Sequence, residues 1–181
     1  MSFNNNFERE GIAIAATVEI DEYNGASAAT VTHNITNTNM GSVDSVNLDP
    51  VVNSVTPGQN TYEKYQKIHV TAMGGSSSIQ NLKVWRTGAL GGAAVHLTNA
   101  RTASYGGAAT AATPVSTTSS VATQTMPTSA PGTANLGIGG ALTGTLTATG
   151  SSDFLVHQIQ TNAADTAGST STQNYQYDEV A

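Results

Sequence analysis

No cysteine occurs among the 181 residues of the chain, and charged residues make up only 10% of it. Without cysteine the protein has no disulfides and no thiolate metal ligands, so buried side chains must supply its stability. Soluble domains usually carry about 25% charged residues. The surface must therefore be covered largely by Thr, Ser, Asn and Gln, and we expect such a surface to be covered in turn by other chains.

Basic residues are scarce, because six Lys and Arg stand against twelve Asp and Glu, for a formal net charge of −6. Binding to a phosphate backbone needs clustered cations, so we expect no direct contact with nucleic acid. Residues 1–10 lack the basic and apolar segments of a signal peptide, and no run approaches the roughly 18 apolar residues that span a bilayer. We expect neither export nor membrane insertion.

Large apolar side chains are also few, since Leu, Ile, Val and Phe form roughly 18% of the chain, close to the level typical of disorder. The low net charge argues against disorder, and the length suits one domain. We expect an N-terminal arm at 1–11 and a single domain at 12–181 with a small core. An Ala-, Thr- and Ser-rich surface excursion is expected at about 101–131.

Alternating apolar and polar residues predict antiparallel strands. The run from Ile12 to Ile20 has the period of a half-buried strand, and the run from Ala29 to Ile35 repeats it after a turn-like segment at 21–25. We expect these two runs to form a hairpin. A second pair, at 62–72 and 79–86, is predicted around a glycine turn. Further strands are predicted at 43–48, 94–98, 120–126, 142–148, 153–160 and 173–180, the last two closing the sheet.

No segment longer than about ten residues has the 3.6-residue apolar spacing of an amphipathic helix. We therefore expect an all-β fold, an antiparallel β-sandwich or barrel of jelly-roll or immunoglobulin-like type, with an extended arm and long Ala/Thr/Gly-rich loops. Leu82 and Val84 share one strand face, whereas Lys83 and Trp85 share the other. Either Trp85 covers a second surface, or a bulge redirects it.

Residues suited to catalysis are few and scattered. Each histidine lies in a predicted strand and is interpreted as a hydrogen-bonded structural residue, with clustering in space left open; the four are His33, His69, His96 and His157. The adjacent acids Asp21-Glu22 and Asp178-Glu179 point apart on a strand, and we interpret them as solvated turn residues. We predict no catalytic residue and no enzymatic activity.

Two other patterns suggest ligands only weakly. Asp44, Asn47 and Asp49 offer oxygen atoms for calcium, but the twelve-residue loop of a calcium-binding hand is absent. The glycines at 137–140 lack the Lys-Ser or Lys-Thr of a phosphate-binding loop. We therefore predict no cofactor and no metal.

Aromatic residues form 6% of the chain, and we assign them mainly to the core and to interfaces. Phe3 and Phe7 belong either to a frayed terminus or to an arm that grips a partner. The candidate interface residues are Phe3, Phe7, Tyr62, Tyr65, Trp85 and Tyr105. The alternative is a sugar-stacking platform made of Tyr23, Tyr62, Tyr65, Trp85 and Tyr105.

Two passages resemble small β-rich structural proteins of tailed bacteriophages. The first is NTYEKYQKIHV at 60–70 followed by IQNLKVW at 79–85, which looks like an aromatic-Glu-Lys-aromatic entry, a strand, and a second strand ending at an aromatic residue. The second is SDFLVHQIQ at 152–160 with QNYQYDEV at 173–180, which is similar to the final hairpin of such proteins.

The resemblance implies a β-sandwich or barrel that decorates, cements or extends capsids and tails, often as a homotrimer. Our leading hypothesis is a capsid decoration or cement protein that binds the major capsid protein and neighbouring copies in the virion, after assembly in the host cytoplasm. The alternatives are a tail or baseplate structural protein, and a host-facing carbohydrate-binding module.

Overall fold

The computed structural model describes residues 15–49, 51–101, 122–136, 145–166 and 171–181. These residues form strands and loops, with a three-residue 3-10 turn at Ala26–Ala28 and no α-helix among them. No described helix is therefore long and apolar enough to cross a bilayer. The predicted arm at 1–11 and most of the predicted excursion, 102–121, lie outside the described residues.

The strands in chain order are β1 (Thr17–Asn24), β2 (Thr30–Thr32), β3 (Lys64–Ala72), β4 (Ser78–Thr87), β5 (Val95–Arg101), β6 (Gln124–Thr125), β7 (Thr145–Leu146), β8 (Gly150–Ser151), β9 (Phe154–Gln160) and β10 (Thr172–Val180). The larger sheet has the order β2-β1-β3-β9-β5-β6, with β8 also paired to β3. The smaller sheet has the order β10-β4-β7. All of the pairings are antiparallel.

An apolar cluster joins the two sheets face to face. The larger sheet contributes Ile68, Val70 and Leu155, and the smaller sheet contributes Ile79, Leu82 and Val84, with Met126 and Leu136 from connecting segments. The contributing residues of β3 and β4 are mostly two apart, because successive side chains of a strand point to opposite faces. The predicted all-β sandwich is confirmed.

The outer face of the larger sheet carries a second, smaller cluster. It consists of Tyr65, Ala122, Phe154 and Val156, with Tyr23 and Leu97 packed against it. Strand β9 is thus covered on both faces, and its residues from Phe154 to Gln158 are all buried. This explains why 153–160 reads as a mixed apolar run rather than an alternating one, since doubly covered strands lose the alternation.

The first predicted hairpin forms, with changed bounds. Strand β1 pairs with β2 through Tyr23 opposite Val31 and through the residues on either side. However, β1 continues through the predicted turn to Asn24, and the chain reverses after Gly25, whose φ of +81° is strained for residues with a side chain. Residues 12–14 of the predicted first strand lie outside the described residues.

Three other strand predictions are wrong. Strands β3 and β4 do not pair, because the turn at Gly74 carries the chain from the larger sheet to the smaller one. Strands β9 and β10 also lie in different sheets, so the final hairpin implied by the resemblance does not form. Residues 43–48 form bends instead of a strand.

Trp85 lies on the face of β4 opposite Leu82 and Val84, as the first of the two alternatives requires. Leu82 and Val84 are fully buried between the sheets, whereas Trp85 is half-buried on the opposite face of β4. A bulge exists as well, since the register of β10 against β4 shifts between Gln176 and Asp178. It leaves the inward direction of Leu82 and Val84 intact.

Truncation of the core should be costly because the core is small. We expect Leu82→Ala to lower the free energy of unfolding by about 2–5 kcal/mol, since it leaves a cavity between the sheets. The control is Val51→Ala, at a site 82% exposed, which should change stability by less than about 0.5 kcal/mol. Urea unfolding measures both, and equal effects would contradict this account of the core.

Candidate functional site

Four metal-ligand side chains meet on the outer face of the larger sheet. They are Glu19, Asp21, His33 and His69, and one ligand atom from each lies within 4.8 Å of all the others. No other such group of three or more His, Cys, Asp or Glu residues occurs among the residues that the structure describes. We refer to these four residues as the His-carboxylate cluster.

Strand geometry brings the cluster together. Glu19 and Asp21 are two residues apart on β1 and therefore share a face. His69 on β3 lies directly opposite Glu19, and directly opposed side chains of an antiparallel pair point the same way. His33 follows β2 immediately, so the β1–β2 hairpin returns it to the same place.

The closest contacts centre on one carboxylate oxygen. Oδ2 of Asp21 lies 2.9 Å from Nδ1 of His33 and 2.9 Å from Nδ1 of His69. Oε1 of Glu19 lies 3.2 Å from Nδ1 of His69 and 3.7 Å from Nδ1 of His33. Both imidazoles therefore direct the same nitrogen at the two carboxylates.

The backbone after β2 fixes the orientation of Asp21. The amide of Asn34 donates to the second oxygen, Oδ1, at 3.3 Å, and Asn34 has a φ of 51°. The amide of Ile35 then donates to the carbonyl oxygen of Ile20 at 2.9 Å, which attaches the segment to β1. One oxygen of Asp21 is thus held by the backbone while the other faces the imidazoles.

The interpretation of Asp21 and Glu22 as solvated turn residues is wrong. Both are 0% exposed, because β1 runs past them to Asn24. They do point apart, as expected, with Asp21 in the cluster and Glu22 on the inner face. The sequence signal for the cluster was the two-residue spacing of Glu19 and Asp21, which becomes informative only when the strand's partner is known.

On the inner face, Glu22 forms a buried ion pair. Nζ of Lys64 lies 2.9 Å from Oε1 of Glu22, and both side chains are 0% exposed. Lys64 also donates to the carbonyl oxygen of Ser45, and Asn24 donates to Glu22 at 3.1 Å. A buried charge is costly unless it is paired, so these residues depend on one another.

Two other histidines pair on the same inner face. Nε2 of His96 on β5 lies 3.1 Å from Nδ1 of His157 on β9, and Gln173 on β10 lies 3.0 Å from Nε2 of His157. Burial lowers the pKa of His96 to about 4, helped by the charge of Arg86. Burial, together with His96, also holds the pKa of His157 well below its usual value. Both rings are therefore neutral at pH 7, in agreement with a structural role.

A cleft of about 700 Å³ lies beside this buried polar network. Its walls include Thr38, Asp165, Gln173, Tyr175 and His96. Burial raises the pKa of Tyr175 well above its usual value, so its hydroxyl stays protonated and donates to Gln66 at 2.7 Å. Asp165 accepts hydrogen bonds from the backbone amides of Ala93 and Asn162. These polar groups already make hydrogen bonds that stabilise the fold.

The weak calcium candidates instead stabilise loops. Asp44 accepts a hydrogen bond from the amide of Gly25 at 2.7 Å. Asp49 accepts from the amides of Val51 and Val52, and these bonds lower its pKa. Asp44 and Asp49 thus each hold the backbone of a loop. The glycines at 137–140 lie outside the described residues.

The candidate interface residues separate into three groups. Tyr65 has no exposed surface because it packs edge-on against Phe154, so it cannot contact a partner in this conformation. Tyr62 and Trp85 are half-buried and keep some accessible surface. Phe3, Phe7 and Tyr105 lie outside the described residues. Tyr23 also packs edge-on against Phe154, so it and Tyr65 do not form an open sugar-stacking platform.

Comparisons with protein-family models, with curated proteins and with solved structures find no match. The functional argument therefore depends on the sequence and on the geometry described above.

The buried ion pair gives a direct test of the inner network. We expect Lys64→Met to lower the free energy of unfolding by about 3–5 kcal/mol, because it leaves Glu22 charged and unpaired. The double variant Lys64→Met/Glu22→Met should recover most of that loss. Chemical denaturation of wild type, both single variants and the double variant measures the coupling. A double variant no more stable than Lys64→Met would refute the dependence.

The His96–His157 pair predicts a loss of stability in acid. Both pKa values are lower in the folded state, so the unfolded chain takes up protons first as the pH falls below about 6.5, and this favours unfolding. The stabilising contribution of the neutral rings is complete above about pH 6.5 and is lost as the pH falls toward 4, the pKa of His96 in the folded protein. His96→Asn should remove about 2 kcal/mol of the loss between pH 7 and pH 5.

Urea midpoints of wild type and His96→Asn at the two pH values provide the measurement. Comparing the pH dependence, rather than the stability itself, corrects for any cost of the substitution at neutral pH. An unchanged pH dependence in His96→Asn would mean that this histidine is not held neutral.

Proposed function

We propose that the protein is a non-enzymatic structural subunit of a tailed-phage particle. In this proposal it binds the major capsid protein and neighbouring copies, with a trimer favoured, and cements or decorates the shell. The observation that carries the proposal is the long edge strand β10. The resemblance at 60–70, 79–85, 152–160 and 173–180 supplies the type of particle.

Strand β10 is suited to pairing with another chain. Among the described strands it spans nine residues at one edge of the smaller sheet and pairs with β4 on its other side. An edge strand presents a row of backbone amide and carbonyl groups that can accept a further strand. From Thr172 to Tyr177 its side chains are Thr, Gln, Asn and Tyr, so no charge within this stretch opposes such pairing.

An exposed apolar loop tip with hydrogen-bonded backbone amides supports the same proposal. Val51 and Val52 are 82% and 76% exposed, the highest values among the large apolar side chains of the described residues. The carboxylate of Asp49 holds both of their amides, and the amide of Asn53 donates to the carbonyl oxygen of Asp49 at 2.8 Å. An apolar tip held in one conformation loses little entropy when it docks.

Strand addition and an apolar tip together suit a subunit that spans a junction between others. A specific interface removes about 1,600 Å² of combined surface from solvent. Many copies attached to one closed shell would gain avidity even if each contact were weak. The low charge of the chain fits this role, because polar uncharged side chains are cheaper to desolvate than ions.

The edge strand can be tested with added charge. We expect Thr172→Glu/Gln176→Glu to bind shells of the major capsid protein at least about tenfold more weakly, because edge charges oppose strand addition. The control Thr128→Glu/Thr133→Glu makes the same charge change at exposed loop positions and should bind as wild type does. Cosedimentation with shells measures binding, and circular dichroism confirms the fold of each variant.

Equal binding by the edge variant and wild type would contradict a role for β10. Counting copies in purified particles then tests the location, because many copies indicate the shell and a handful indicates the tail or baseplate. Failure of wild-type protein to bind either structure, with binding to a glycan array instead, would replace the proposal with the carbohydrate-binding alternative.

A further inference from the structure

We propose that the His-carboxylate cluster, Glu19, Asp21, His33 and His69, binds one divalent transition-metal ion of the zinc class. This inference is independent of the phage proposal, because it depends on four side chains that take no part in the β10 edge. It also departs from the expectation, drawn from the sequence, that the chain has no metal.

The atom types and spacings suit a single ion. Zinc is bound by histidine nitrogen at about 2.0–2.1 Å and by carboxylate oxygen at about 2.0–2.2 Å, usually in a tetrahedron, which places neighbouring ligand atoms about 3.3 Å apart. The four nitrogen–oxygen separations in the cluster run from 2.9 to 3.7 Å. These four separations are close to the tetrahedral spacing, and one ligand atom from each residue lies within 4.8 Å of all the others.

The negative charge of the cluster favours the binding of a cation. Glu19 and Asp21 bring two carboxylates together, and the side chain of Asp21 is 1% exposed. Lys67 lies opposite Asp21 on β3, but its Nζ lies over the ring of Phe154, at 4.3 Å from the centroid. An enclosed carboxylate needs a compensating charge, and a divalent ion would balance both acids at once.

His69 supplies a second observation. Its Nδ1 is enclosed and makes no hydrogen bond to any described group, although Oδ2 of Asp21 lies only 2.9 Å away. The distance is short enough for a hydrogen bond, so it is the angle at Nδ1 that departs from hydrogen-bond geometry. Nδ1 of His33 is aligned with the same oxygen, whereas Nδ1 of His69 is not. The misaligned nitrogen favours a lone pair directed at an ion between the four residues.

The surroundings resemble the support that metal ligands usually have. The Asn34 amide holds Oδ1 of Asp21 and leaves Oδ2 for the ion, as partners outside the ligand set orient ligands in known sites. His33 is 61% exposed and His69 is 26% exposed, so an ion can enter from the solvent side.

The mixed donor set selects among metals. Calcium and magnesium prefer oxygen ligands throughout, whereas two imidazoles favour Zn²⁺, Co²⁺, Ni²⁺ and Cu²⁺. Bound between β1, β3 and the residue after β2, such an ion would attach the edge hairpin to the sheet. Binding to the folded state alone would then stabilise the protein.

The test uses the full chain after chelator treatment and dialysis. We expect calorimetric titration to give one Zn²⁺ per chain and saturating Zn²⁺ to raise the thermal midpoint by about 5 °C or more. Ca²⁺ and Mg²⁺ should do neither at the same concentration. Absence of Zn²⁺ binding, or equal binding of Ca²⁺, would overturn the proposal.

Variants assign the binding to these residues. We expect His33→Ala, at an exposed position, and the isosteric Asp21→Asn each to weaken Zn²⁺ binding at least about tenfold. The control Asp178→Asn, an exposed acid on β10, should keep the wild-type affinity. Circular dichroism establishes that each variant is folded. If Asp21→Asn does not fold, the Zn²⁺ affinity of His33→Ala alone tests the site. Wild-type affinity in either folded cluster variant, or an equal loss in the control, would refute the site.

Discussion

The register between β1 and β3 decides which face of the larger sheet each charged side chain occupies. Glu19 lies opposite His69, and Asp21 lies opposite Lys67, so the acids of the cluster point outward. The residues between and after them point inward, which places Glu22 beside Lys64. A slip of β1 by one residue would exchange the faces of its side chains, turning Glu19 and Asp21 away from His69 and moving Glu22 away from Lys64. The outer cluster and the inner network therefore depend on one register.

The interior of the sandwich is divided between an apolar and a polar region. The apolar region surrounds Leu82 and Val84, and the polar region runs from the Lys64–Glu22 pair through Gln66, Gln173 and His157 to His96. A chain with so few large apolar residues cannot fill the whole space between two sheets with them. Hydrogen-bonded polar side chains occupy the rest of the space between the sheets. Such networks stabilise one arrangement only when their donors and acceptors have partners.

The proposed assembly role and the proposed metal site lie on different parts of the molecule. The β10 edge belongs to the smaller sheet, while the cluster lies on the outer face of the larger sheet beside the β1–β2 hairpin. Each can therefore be altered without the other. If both hold, the ion would stiffen the hairpin of a subunit whose own core is small, much as metals stabilise other domains with limited apolar burial.

Local pattern determined most of the strand content of the described residues, the shared face of Leu82 and Val84, and the lack of amphipathic helices among those residues, because a side-chain period of two depends on neighbours in sequence. Only the tertiary structure decided that β3 and β4, and likewise β9 and β10, belong to different sheets, since a turn between strands does not reveal whether they pair. It also decided that Asp21 is buried, and that His33 and His69, far apart in sequence, meet beside it. Pairing between distant strands brings those residues together, and no local pattern records which strand will lie next to which.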